Sequence, residues 1–322
     1  MTFKVGIIGL GMIGESMLQA FLEHPAFVVG SVWDRNEVIN RQIAGRFPSV
    51  PIAPDAASII GHPDIDLIYI ATPPVTHVEY GRQVIAAGKA LLCDKPLAID
   101  LAEGRWLVET AVNHNTPTAM NFVYGAGHLV ETIEQQLNAG ALGTPQSIEV
   151  RYQFPSWPLP NQLSAASWIT KRNEGGMVRE MFSHFVYLLQ RLFGEVTVKS
   201  TVLRYPEGEN AAESFVLAHL EAGGLPIWLM GGIGGAAAPR ESALTLHGSQ
   251  AALRLGNLYN LAITKNGTWQ PLPIAPDAPT PVQARLSELA NRLAGEPTNL
   301  PDLQAGLRVQ EVIETMLTKT QI

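Results

Sequence analysis

Gly9, Gly11 and Gly14 stand in the order Gly-x-Gly-x-x-Gly directly after the apolar run Val5-Gly6-Ile7-Ile8, and a helix-like pattern follows over residues 16–22. A short buried strand, a tight turn and a helix N-terminus are what the pyrophosphate of a dinucleotide requires. Gly9 makes the turn, Gly11 keeps side-chain bulk away from the phosphates, and Gly14 lets the helix pack close to the strand. Met12 and Ile13 belong to the same cofactor-binding turn. Asp34 lies about twenty residues further on, where an acid can hold a ribose hydroxyl. A second chemical group is Lys95, fixed between Asp94 and Pro96. In a loop a lysine is ordinarily solvated. At the mouth of a site it directs a positive charge, or a proton, at a substrate oxygen.

The elements that must position these groups alternate. Residues 28–34 read as a second strand ending at Asp34. Residues 35–47 read as a helix, with Val38, Ile39 and Ile43 on one face. A short helix at 55–60, a strand at 66–72, a helix at 76–87, a strand at 90–93, a helix at 101–115 and a strand at 117–122 follow. Such alternation predicts a mostly parallel, doubly wound sheet, whose ligands lie beyond the carboxyl ends of the strands. Asp34, Thr72, Asp94, Lys95 and Asn121 all fall at or just past those ends. In Thr72-Pro73-Pro74-Val75-Thr76-His77 the prolines remove backbone donors and stiffen the loop.

Composition narrows the class. The chain has 322 residues, enough for two domains. A net charge of −7 gives no basic footprint for nucleic acid. The single cysteine, Cys93, allows no disulfide within the chain. No leader pattern opens the sequence and no apolar run is long enough to span a membrane, so a cytoplasmic protein is expected. No metal site is read from the chain.

The glycine turn, Thr72-Pro73-x-x-x-His77 and Asp94-Lys95-Pro96, at these spacings, resemble the Gfo/Idh/MocA oxidoreductases. The usual family form of the lysine motif is Glu-Lys-Pro, so Asp94 is a mild departure. The resemblance covers the whole chain. It implies a Rossmann domain over residues 1–123 and an α+β domain over 124–322 with an open, mainly antiparallel sheet, which binds substrate and assembles subunits. It also implies that Lys95 lines the nicotinamide–substrate site, and that Thr72, Pro73, His77 and Asp94 contact the cofactor. Asp34 should favour NAD(H) over NADP(H), because its charge repels a 2′-phosphate. Arg35 argues the other way, since a guanidinium can receive that phosphate.

Past residue 122 the pattern changes. A helix is predicted at 128–138, and half-exposed strands at 147–154, 196–205, 214–221, 226–230, 243–247, 251–255 and 258–265. Helices at 282–293 and 301–318 end the chain. Residues 155–174 form a long irregular stretch with Trp157, Trp168, Lys171 and Arg172. A loop of this length in a compact domain is often functional, and Trp157 and Lys171 are candidate substrate contacts. It runs into Gly175-Gly176-Met177-Val178-Arg179-Glu180-Met181-Phe182-Ser183-His184.

In the family this segment is a glycine cluster, an aspartate and a histidine four residues later. His184 fits the histidine, and Glu180 replaces the aspartate. Positions i and i+4 share a helix face, so both can address one substrate. Histidine titrates near neutrality and can accept an alcohol proton. The other reading is a core histidine, and His77, His114, His128, His219 and His247 are read as structural or exposed. Arg179 pairs with Glu180 or another acid.

The resulting expectation is a nicotinamide-dependent dehydrogenase acting on a secondary alcohol of a sugar, cyclitol or derivative. His184 is the base, Lys95 polarises the oxygen, and Glu180 positions His184. The alternatives are a double-bond reductase, an oxidative glycosidase and a non-catalytic regulator that binds cofactor and sugar. The apolar stretch 225–238 must be covered on both faces, one by the domain's own helices and the other by residues 155–174 or by another subunit; the resemblance implies pairing through the open face of this sheet, so a homo-oligomer, a dimer or tetramer, is expected.

Overall fold

Each apolar run of the first part of the chain becomes a strand, and each amphipathic run a helix. The computed structural model describes residues 1–234, 240–274 and 277–318. In order come β1 (Phe3–Ile8), α1 (Met12–Glu23), β2 (Phe27–Trp33), α2 (Glu37–Arg46), α3 (Ala56–Ile60), β3 (Leu67–Ile70), α4 (His77–Ala86), β4 (Ala90–Cys93), α5 (Leu101–Asn113) and β5 (Thr118–Met120). The strands form a parallel sheet in the order β2-β1-β3-β4-β5. Every residue of β3 and β4 is buried, which explains their uninterrupted apolar sequences. The helix starts are written locally. Asn36, Asp55 and Asp100 each accept a backbone N–H of the first turn of α2, α3 and α5.

The rest of the chain forms α6 (His128–Asn138), β6 (Pro145–Phe154), α7 (Ala166–Ile169), a π turn (Val178–Phe182), α8 (Ser183–Phe193), β7 (Val196–Arg204), β8 (Phe215–Ala222), β9 (Leu225–Ile233), β10 (Glu241–Gly248), β11 (Ala252–Gly256), β12 (Asn260–Lys265), β13 (Thr268–Pro271), α9 (Pro281–Leu293) and α10 (Leu303–Thr318). Eight strands make one sheet in the order β13-β12-β11-β10-β6-β9-β8-β7. All its pairings are antiparallel except β6 with β9. β13 was not among the predicted strands. All four of its residues are exposed, so no buried alternation marks it.

One face of this sheet is core. Ile148, Val150, Tyr152 and Phe154 are buried, and the Tyr152 ring lies 4.9 Å from Phe182 and 5.2 Å from Phe185. A Cβ on Gly231 would come 2.7 Å from Phe182, so the glycine admits this close packing. The other face carries Glu149, Arg151, His219 and Trp228. Trp228 is 54% exposed and stacks on His219 at 4.6 Å. The stretch 225–238 is therefore not covered on both faces within one chain over its described part, and residues 235–238 lie outside the described residues.

Contacts divide the chain into two compact units, residues 1–126 with 279–308, and 127–278 with the residues from Val309 on. The sequence instead predicts one break after residue 123. The segment 279–308 joins the first unit because α9 finds its apolar cover there. Leu286, Leu289 and Leu300 enter the cluster of Met17, Leu18 and Phe21. Among the described residues no helix is long and apolar enough to cross a membrane.

Candidate active site

The first unit holds the glycine turn. Gly9 has φ +96°, and a Cβ there would lie 2.6 Å from the Ala71 backbone. A Cβ on Gly14 would lie 2.0 Å from the Gly9 carbonyl oxygen, whereas one on Gly11 would meet nothing within 4 Å. The protein's own backbone thus requires Gly9 and Gly14, while Gly11 faces open space at the start of α1. No side chain caps this end of α1, and Met12 and Ile13 are exposed. An uncapped helix N-terminus beside an open glycine fits a dinucleotide pyrophosphate.

Asp34 is tied to this turn. Its Oδ2 accepts the Leu10 amide at 2.8 Å, and its Oδ1 accepts the Asn36 amide at 2.8 Å. Asn40 clamps the Asp34 backbone from both sides, its Oδ1 taking the amide and its Nδ2 donating to the carbonyl, each at 2.8 Å. A carboxylate has about four lone-pair sites, so each oxygen retains room for a ribose hydroxyl. Arg35 is exposed beside it. Nothing in the sequence distinguished Asn40 from any other polar residue of α2.

Past β3, the Thr76 hydroxyl donates to Thr72 Oγ1 at 2.7 Å. His77 is wholly buried, with Nδ1 2.8 Å from the Pro96 carbonyl oxygen and Nε2 2.8 Å from the Thr72 carbonyl oxygen. Its side chain is turned into the protein. It joins the Thr72–Pro73 loop to the Lys95–Pro96 loop and so supports both.

Past β4, Asp94 Oδ1 accepts the Lys95 amide at 2.9 Å, and Oδ2 accepts the Tyr69 hydroxyl at 2.9 Å. Asn121 Nδ2 donates to the same hydroxyl at 3.2 Å. Burial, followed by the nearby Asp94 charge, pushes the Tyr69 hydroxyl well above its ordinary pKa, so it stays a proton donor. Tyr69 thereby links Asp94 to Asn121. The sequence reading missed it. Its one signal was a hydroxyl in the otherwise aliphatic Leu67-Ile68-Tyr69-Ile70. Lys95 is half-buried. Burial also raises the Cys93 thiol well above its usual value, which makes it an inert core residue.

The second unit holds the other candidates. Trp157 Nε1 donates to the Ile169 carbonyl at 3.1 Å. Lys171 forms an ion pair with Glu174 at 3.6 Å, and its side chain is 47% exposed. Such a pair contributes at most about 1 kcal/mol. Arg172 lies over the Tyr205 ring at 3.5 Å. Glu180 and His184 are both buried, at 7% and 9% exposure. The sequence predicts an ordinary i, i+4 helix face for them. The structure places Glu180 within the π turn and His184 in the first turn of α8, so the wider i→i+5 geometry sets their spacing.

Of the two expected partners, Glu180 or another acid, Arg179 takes another acid, Glu314. Its Nε and Nη2 bind Glu314 at 2.6 and 2.7 Å, and Nη1 donates to the Gly175 carbonyl at 2.9 Å. Burial alone would lower its pKa. The hydrogen bonds and charge of Glu314 outweigh that and raise it.

Residues 3–122 match the model of an oxidoreductase family with an NAD-binding Rossmann fold, and residues 130–254 match the GFO/IDH/MocA C-terminal domain. The inositol 2-dehydrogenase of Acidothermus cellulolyticus is 28% identical over 202 residues, 62% of this chain and 59% of that protein. The levoglucosan dehydrogenase of Pseudarthrobacter phenanthrenivorans is 28% identical over 213 residues, 63% of this chain and 54% of that protein. The match thus spans less than two thirds of either relative. In fold, the chain is similar to a 3-ketoreductase from Actinomadura kijaniata in complex with NADP and TDP-benzene. The TM-score is 0.84 at 18% identity, covering 100% of this chain and 98% of that one.

Proposed function

The chain belongs to the Gfo/Idh/MocA oxidoreductase family, and from that premise we propose that it is an NAD(P)-dependent dehydrogenase or reductase acting on a secondary alcohol, or its ketone, of a sugar, cyclitol or derivative. The observation that carries this reading is Lys95, whose backbone is fixed through Asp94 and Tyr69 at the carboxyl end of β4, in the same unit as the open Gly11 cradle. The names of the two curated relatives support the substrate class.

When bound, the nicotinamide dinucleotide supplies a two-electron carrier that takes or gives a hydride. The turn from Gly9 to Gly14 holds its diphosphate. Asp34 takes the adenosine ribose and favours NAD(H), with Arg35 the residue through which NADP(H) would be admitted. Thr72 and Pro73, supported from behind by His77, would contact the cofactor. Lys95 polarises the substrate oxygen. His184 takes the alcohol proton, and Glu180 orients it. Asn121 contacts substrate. Trp157, whose N–H is already used, offers its ring, and the half-exposed Lys171 offers its charge.

The same reading includes a homo-oligomer, dimer or tetramer, built through the open sheet face around Trp228, His219 and Leu217, of which Trp228 and Leu217 are exposed. It also includes a cytoplasmic setting, where a pool of the dinucleotide is at hand. The test is to mix the protein with NAD+ and a panel of aldoses and cyclitols and follow the absorbance of reduced nicotinamide. Turnover on at least one member supports the reading. Binding of cofactor and sugar with no turnover in either direction would support a regulator instead.

A further inference from the structure

The helix that carries Glu180 and His184 begins without a local cap. Met177 contributes no side-chain hydrogen bond to its first turn, and neither does Phe182 to the start of α8. The first amides of a buried helix need acceptors. Here one comes from far along the chain. Glu213, 1% exposed and just ahead of β8, accepts the Val178 amide on Oε1 at 2.6 Å.

Its carboxyl group lies flat against the glycine turn. Gly176 has φ +104°, and a Cβ there would lie 2.6 Å from Glu213 Oε2 and 2.7 Å from Oε1. The second glycine of the Gly175-Gly176 pair is therefore explained by the carboxyl group it accommodates. On the other side Arg179 reaches Glu314, and it also donates to the carbonyls of Gly175 and Arg172, which fixes the chain on both sides of the turn. Glu180 closes the geometry, its amide donating to the Gly176 carbonyl at 3.0 Å.

We propose that Glu213 is a positioning residue for the site. As a remote helix cap lying against the Gly175-Gly176 turn, which Arg179 braces through the Gly175 and Arg172 carbonyls, it sets the register of the π turn and with it the placement of Glu180 and His184. Glu213 touches neither substrate nor cofactor in this scheme. A rotation of one residue at the start of the π turn would move both side chains together, and an error of that kind at a reacting group costs about a hundredfold in rate. The charge balance is consistent with this role. Burial raises the Glu213 carboxyl pKa, the Val178 amide and then Arg179 oppose the rise, and Glu314 adds to it.

The role of His184 rests on the dehydrogenase reading, but the placement of the turn does not, so the test has two arms. In the first, full-length protein with isotope-labelled histidine is compared as wild type, Glu213→Met and Glu213→Gln. The His184 ring signals and the amide exchange of residues 176–184 are recorded. Methionine fills the volume without an acceptor, and exchange across the turn should rise about tenfold, the scale of one lost hydrogen bond, with the His184 signals displaced. Glutamine keeps the acceptor and should look like wild type. In the second arm, turnover should fall about a hundredfold in Glu213→Met and be restored in Glu213→Gln. NAD(H) affinity, which belongs to the first unit, should be unchanged in both. A folded Glu213→Met protein with unaltered exchange and His184 signals overturns the proposal. If that variant does not fold, displaced His184 signals in Glu213→Gln overturn it and wild-type signals support it. A wild-type protein inert towards every sugar would defeat the dehydrogenase reading while the first arm still decided the cap.

Discussion

Nδ1 of His77 lies 2.8 Å from the carbonyl oxygen of Pro96, the residue after Lys95, while Nε2 of the same ring lies 2.8 Å from the carbonyl oxygen of Thr72. One buried ring therefore ties together two loops that leave different strands of the parallel sheet. Both of its nitrogens lie within hydrogen-bond distance of a carbonyl oxygen, so the ring bridges the two loops. Replacing His77 with alanine removes the ring that bridges the two loops and leaves at least one carbonyl without its donor, a loss of about 1–3 kcal/mol. The expected outcome is a clear drop in melting temperature together with weaker NADH binding, read by fluorescence titration. Native melting and native affinity would show that the two loops do not depend on the ring.

On the proposed reading, cofactor choice turns on Asp34. Because Oδ2 also holds the Leu10 amide, Asp34→Ala should loosen the glycine turn as well as remove the ribose acceptor. NADH affinity is expected to fall about tenfold or more, the scale of a lost charged hydrogen bond. NADPH should be hurt less, because the repulsive charge is gone. Titration of wild type and variant with both reduced cofactors checks this. Wild type binding NADPH more tightly than NADH would refute the assignment.

The placement of the first-unit candidates was legible where spacing alone fixes geometry. A strand, a glycine turn and a helix can combine in few ways, so Gly9, Gly11, Gly14 and Asp34 fall where their order implies. The same holds for Asp94 and Lys95 at the end of β4. Contacts made across long sequence distance were not legible. Glu213 meets Val178 from a separate segment, Tyr69 meets Asp94 across the sheet, and Arg179 chooses Glu314 rather than its neighbour Glu180. The π turn was invisible as well, because its residues read as an ordinary helix. The parallel pairing of β6 with β9 and the return of α9 to the first unit depend on which apolar faces meet, which periodicity does not encode.

The raised Glu213 carboxyl gives a pH dependence with a definite sign. A folded-state pKa above the unfolded one means that the native state binds the proton more tightly. The contribution is full below the ordinary glutamate value and is lost as pH rises through the elevated one. The groups that face it are Arg179 and Glu314, with Tyr205 beside them. Thermal melts across that interval should show a decline with rising pH that is smaller in Glu213→Gln. Equal slopes in the two proteins would exclude Glu213 as its source.

Assembly is tested at Trp228. An exposed indole stacked on His219 at the middle of an open sheet suits a subunit contact. Sedimentation at low micromolar concentration is expected to give a dimer or tetramer, and Trp228→Arg a smaller species. A monomeric wild type contradicts the expectation, and an oligomeric variant moves the contact elsewhere.

On the proposed reading, Lys95 and His184 separate chemistry from binding. Lys95→Met and His184→Ala should each lower turnover by about a hundredfold or more, the usual range for positioned acid–base groups, with cofactor affinity little changed. Glu180→Asp is the companion variant. Intact or higher activity on common sugars would mark the longer side chain as a specificity feature. Wild-type turnover in either of the first two variants removes that residue from the mechanism.

The central claim, hydride exchange between a ring carbon and a nicotinamide, is tested most directly by isotope transfer. The protein is incubated with NAD+ and a panel of aldoses and cyclitols carrying deuterium on their carbinol carbons, and the reduced cofactor is analysed by mass spectrometry. The account predicts one deuterium in the cofactor from at least one member of the panel, transferred at a rate about a hundredfold or more lower when Lys95→Met replaces the wild type. Cofactor that binds but gains no deuterium from any member, with no reverse transfer from deuterated NADH to the corresponding ketones, would contradict it.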